Sequence, residues 1–174
     1  MLAAALLTLI YLVMAFLQPF MPEIFGYQKW LIGMAPILLA YAALRSGGLP
    51  LALFILIGGV VHDLLLLHYI GFGPLLWACT IYVIASQKPW LRDGGAVVSV
   101  LVGFTASFLY NSLDRILYLL YHGFWSWDLD LSYALLTLAA INAGLSPLLF
   151  FVFDAISQKT KQVKPKPSRG YLFG

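Results

Sequence analysis

Long, nearly uninterrupted apolar stretches recur along this chain, and each is close to the length that crosses a bilayer. A hydrocarbon core of about 30 Å takes about 20 residues of helix or about ten residues of alternating strand. Inside lipid every backbone N–H and C=O needs an internal partner, so only helices or a closed barrel can span. The stretches here are continuous rather than alternating, which selects helices over a barrel. Charged residues make up 10% of the chain and hydrophobic ones 62%. A soluble domain carries about 25% charged residues. One soluble core could not bury this much apolar surface, so lipid must cover the rest.

Breakers divide the chain into about six transmembrane helices. The first covers roughly Leu2 to Gln18 and ends at Pro19, Pro22, Glu23 and Gly26. No Lys or Arg precedes it and no small-x-small cleavage site follows, so a retained helix is expected rather than a signal peptide. The second runs from about Trp30 to Leu44 and closes on Arg45-Ser46-Gly47-Gly48-Leu49-Pro50. The third runs from Leu49 to about Leu67. The fourth follows Gly71-Phe72-Gly73-Pro74, starting between His68 and Pro74, and ends near Gln87. The fifth starts after the polar loop 87–95 and has crossed by Asp114. Ile116 to Trp127 is aromatic-rich and is expected along the membrane surface. The sixth runs from about Leu131 to Phe153. Residues 1–156 form the membrane domain, and 157–174 a basic, flexible cytoplasmic tail.

Lys and Arg set the orientation. With six helices and a cytoplasmic N-terminus, the inner segments hold Arg45, Lys88, Arg92, Lys159, Lys161, Lys164, Lys166 and Arg169, against Lys29 in the outer loops, with Arg115 left near the end of the fifth helix. The positive-inside rule therefore places both termini in the cytoplasm. Trp30, Trp90, Trp125 and Trp127 fall at helix ends, where amphipathic rings suit the interface.

Ionisable residues inside hydrocarbon are costly and mark candidate sites. His62 and Asp63 lie in the third helix, and Asp114 and Arg115 near the end of the fifth, with Asn111 one turn earlier. At 1.5 Å per residue, Asp63 is about 21 Å from the inner boundary and Arg115 about 30 Å. An Asp63–Arg115 pair between the third and fifth helices is thus expected. Three roles compete for the cluster: a lock on helix packing, a surface for another protein's helix, or a small-molecule or ion site. A proton pathway would need a relay of ionisable groups, which the inner half lacks. Ser99, Gly103 and Ser107 repeat at spacing four, a small-residue pattern that lets helices approach closely. Gly58 and Gly59 offer a second close approach, and Asn142 is read as an interhelical hydrogen-bond donor. Cys79 is read as a small packing residue. No nucleophile–base set, metal-ligand spacing, phosphate loop or nucleic-acid platform is present, so neither enzyme activity nor a metal, cofactor or nucleic-acid partner is expected.

Over residues 12–90 the chain resembles the bacterial rod shape-determining protein MreD family. The resemblance rests on Leu17-Gln18-Pro19, on the Pro-started Ala35-Pro36 helix ending Tyr41-Ala42-Ala43-Leu44-Arg45, on Gly59-x-x-x-Asp63-Leu64, and on Gly71-x-Gly73-Pro74. His62 before the aspartate and the length of the basic tail depart from the family pattern. The resemblance implies a non-enzymatic, multi-pass protein of the bacterial cytoplasmic membrane that maintains cell shape in the elongation complex. Its partners would be an MreC-like protein and, through it, the MreB cytoskeleton, a SEDS glycosyltransferase and a class B penicillin-binding protein. Six short helices also suit the substrate-binding (S) subunit of an energy-coupling-factor vitamin transporter, similar in fold. A small lipid-modifying enzyme is the third option.

Overall fold

The computed structural model of the chain describes residues 2–17, 34–66, 70–87, 95–123 and 129–162. Those residues are helical apart from short turns, with no strand among them. We number the helices α1 (Leu2–Leu17), α2 (Met34–Arg45), α3 (48–66), α4 (Phe72–Ser86), α5 (Gly95–His122) and α6 (Leu129–Gln162). Three of them are long and apolar enough to cross a membrane, over Gly48–Leu65, Gly95–Tyr121 and Leu129–Ile156. Helices α2 and α4 are apolar but shorter. Trp30, Trp90, Trp125, Trp127 and Lys29 lie outside the described residues, as does 163–174.

Helix α2 is the hub. Ile37, Leu38, Leu39, Ala40 and Ala42 are fully buried, and Tyr41 and Ala43 nearly so. A helix that is apolar on every side and surrounded by protein has no polar face to orient it. It packs against α1, α4, α5 and α6. The residues turned outward are also apolar, among them Leu56 and Leu64 on α3, Tyr82 on α4, Leu101 on α5 and Phe151 on α6. That combination of apolar core and apolar surface is what a bilayer, rather than water, accommodates.

Helices α5 and α6 form the longest antiparallel pair. A Cβ on Gly103 would run into Ser146, and Asn142 donates a hydrogen bond to Ser107 Oγ at 2.7 Å. Four residues up α5 therefore match four residues back along α6. The same register sets Gly95 level with Asp154. Asp154 in turn bonds Arg45 at the end of α2 at 2.8 Å and accepts from Tyr41 Oη at 3.0 Å. The C-terminal end of α2, the start of α5 and this part of α6 thus share one end of the bundle.

Several sequence expectations need correction. Ile116 to His122 does not turn along a surface: α5 continues to His122. No Gly or Pro interrupts that stretch, and the helix stops at Gly123, whose φ of 69° gives the left-handed ending that glycine tolerates. Helix α6 starts at Leu129 rather than Leu131 and extends to Gln162, so residues 157–162, placed in the flexible tail, are helical. Pro147 lies inside α6 and removes one backbone donor there. Helix α4 starts at Phe72, between the two expected starts. Cys79 is exposed on α4 and does not pack in the interior.

Candidate functional site

The third helix is irregular where the polar residues enter. It is α-helical over Gly48–Leu53, forms a π turn over Phe54–Gly58 and resumes as α-helix over Gly59–Leu66. A π turn inserts a residue and changes which side chains face inward, and such turns frequently occur at functional sites. Beyond it His62 and Asp63, adjacent in sequence, are both buried, at 4% and 0% exposure.

His62 joins three helices. Its Nδ1 lies 2.5 Å from Tyr11 Oη on α1, and its Nε2 lies 2.6 Å from Tyr110 Oη on α5. A neutral imidazole has one donor and one acceptor nitrogen, so one tyrosine donates to the ring and the other accepts from it. Trp77 of α4 closes the group: its ring is 5.0 Å from Tyr11 edge-on, 5.1 Å from Phe54 and 5.9 Å from His62.

Asp63 serves a different partner from the one expected. Its Oδ2 accepts the Gly71 N–H at 2.7 Å and its Oδ1 the Gly73 N–H at 2.6 Å. These are N-terminal donors of α4, which a helix cannot satisfy internally. Gly71, at the start of α4, has a φ of 112° and no capping side chain of its own. The carboxylate of one helix therefore caps the next, where the helix dipole also favours negative charge. The expected Asp63–Arg115 ion pair is not formed. Asp63 and Arg115 are at similar depths along their helices, but the backbone amides beside α3 hold the carboxylate first.

Close backbone approach makes this cap possible. A Cβ on Gly58 would strike the Trp77 ring. One on Gly59 would lie 2.5 Å from the Pro74 nitrogen, and one on Gly73 would strike the Gly59 carbonyl and lie 2.6 Å from Asp63 Oδ1. Gly59, Asp63, Gly71, Gly73 and Pro74 thus interlock α3 with α4.

The remaining sequence-selected residues separate from this group. Ser99 donates back to Ala96 O at 2.9 Å within α5. Asn111 donates to Ser107 O at 2.7 Å, and Ser146 to Asn142 O at 2.7 Å, lining the α5–α6 seam. Arg115 lies one turn beyond Asn111, with its guanidinium carbon 5.2 Å from the centre of the Tyr118 ring. Asp114 engages its own partner. Of the five polar residues proposed as one cluster, His62 bonds two tyrosines, Asp63 caps α4, and Asn111, Asp114 and Arg115 follow along α5, with Asp114 near enough to Tyr110 to act on it electrostatically. Sequence reading missed Tyr11, Tyr110, Trp77, Ser146 and the Arg45–Asp154 bridge. Among the described residues no three His, Cys, Asp or Glu side chains are grouped as a metal site.

Compared with protein-family models, curated proteins and solved structures, the chain matches none.

Proposed function

We propose that this chain is a non-enzymatic scaffold of the bacterial cell-wall elongation complex, a protein of the MreD type. On this reading it crosses the cytoplasmic membrane six times with both ends inside and maintains cell shape. It binds an MreC-like protein and through it reaches the MreB cytoskeleton, a SEDS glycosyltransferase and a class B penicillin-binding protein. One observation supports this above the others. The residues that carry the resemblance, Gly59, Asp63, Gly71, Gly73 and Pro74, act together as one helix–helix joint. His62, Asn142 and Ser146 likewise direct hydrogen bonds within or between helices. A protein built this way presents rigid helix faces to other membrane proteins. The Arg45–Asp154 bridge supports the topology, since both residues belong to the inner face in the six-crossing arrangement.

The test is affinity purification of the tagged chain in mild detergent from cells grown at native expression. The reading expects an MreC-like protein and wall-synthesis enzymes to co-purify. Recovery of an ATPase module with bound vitamin would overturn it in favour of a transporter subunit.

A further inference from the structure

Arg115 carries a permanent charge, since a guanidinium is not deprotonated in proteins. Among the described residues no carboxylate forms an ion pair with it. Its Nε is buried without a hydrogen-bond partner, and Ser112 Oγ, three residues earlier and so on the same side of α5, is buried without one too. The nearest acid expected to serve it, Asp63, has both oxygens committed to Gly71 and Gly73. Asp114, next in sequence, has a contact of its own.

Height identifies what is available. Tyr110 meets His62 below Arg115, and Tyr121 meets Phe72 at the start of α4 above it, with ring centres 6.1 Å apart. Arg115 is 20 residues from Gly95, about 30 Å along the helix and therefore one hydrocarbon thickness from the opposite end. That is the edge of the hydrocarbon, from which a long side chain reaches the lipid phosphates just beyond. Long cationic side chains near helix ends reach for this level. Here the Tyr118 ring, 5.2 Å away, supports one face of the guanidinium.

We propose that Arg115, braced by Tyr118, is a binding site for the phosphate of a membrane phospholipid. The fork of the guanidinium matches phosphate oxygens in pairs, which an ammonium cannot do. Such a site depends on the position of α5 in a bilayer and is independent of the chain's protein partners.

The full chain, purified and stripped of lipid in detergent, is titrated with dioleoyl phosphatidylglycerol, and bound lipid is counted by native mass spectrometry. Dioleoylglycerol, which lacks the phosphate, is the comparison. Wild type is expected to retain one phosphatidylglycerol more strongly than dioleoylglycerol. Arg115→Gln is expected to weaken that retention about fivefold, the scale of one interfacial cation. Arg115→Lys should fall between, and Arg45→Gln, which removes a cation already bridged to Asp154, should leave it unchanged. Unchanged retention in Arg115→Gln, or an equal loss in Arg45→Gln, overturns the site. Displacement of the lipid by millimolar inorganic phosphate would identify free phosphate as the ligand and overturn the lipid assignment. If Arg115→Gln does not fold, Arg115→Lys decides: retention equal to wild type overturns the proposal.

Discussion

At the scale of single residues, a buried carboxyl group is satisfied here by backbone amides. Asp63→Asn keeps the shape but leaves one oxygen for two N–H donors and turns an NH2 group toward the other. It should lower thermal stability in detergent by about 1–3 kcal/mol. Arg115→Gln should leave the melting temperature nearly unchanged, and the double variant should match Asp63→Asn to within about 0.5 kcal/mol, as for uncoupled sites. Recovery of stability in the double variant would instead show a direct pair. His62 gives a second case. Tyr110→Phe strands one ring nitrogen and should cost about 1 kcal/mol. The same change in a His62→Leu background should cost clearly less, and equal losses in the two backgrounds would deny the hydrogen bond. His62 and Asp63 were legible in the sequence because ionisable groups are rare in apolar runs. Their partners were not. Ten tyrosines offer no way to choose Tyr11 and Tyr110, and backbone amides leave no mark in side-chain chemistry.

At the scale of elements, glycines decide how closely helices meet, and what they meet decides how severe a substitution is. Gly59→Ala places a methyl group against the Pro74 backbone, 2.5 Å from its nitrogen. Backbone cannot rotate aside, so α3 and α4 must separate and the Asp63 cap must loosen, at about 3 kcal/mol or more. Gly103→Ala meets the Ser146 side chain instead. Adding Ser146→Gly should recover part of its stability loss, whereas no side-chain trimming should recover Gly59→Ala. Thermal melts of the three variants check this ordering, and full tolerance of Gly59→Ala would refute the close joint. Helix identity was readable from the apolar stretches and their breakers. The hub role of α2 was not, because lipid-facing and core-facing helices are equally apolar. The run from Ile116 to His122 was misread for a related reason: aromatic residues mark an interface without saying whether the helix bends there or passes through it.

For the whole molecule, the deciding question is how an apolar bundle sits in a bilayer. Three described helices have the length to cross unaided, and the buried hub α2, only 12 residues long, is enclosed by its neighbours instead of being matched to lipid. The end that gathers Arg45, Asp154 and Gly95 is assigned to the cytoplasm by the charge count, eight Lys or Arg against one. Substituted-cysteine labelling in intact cells tests that assignment most directly. Cys79 is first replaced by Ala, and single cysteines are then introduced at Asp130 and at Gln162, in the first and last turns of α6. A membrane-impermeant maleimide should label the cysteine at 130 in intact cells and the one at 162 only after the membrane is opened. Labelling of position 162 in intact cells, or of neither position before opening, would contradict a bundle with its C-terminus inside and its α5–α6 turn outside.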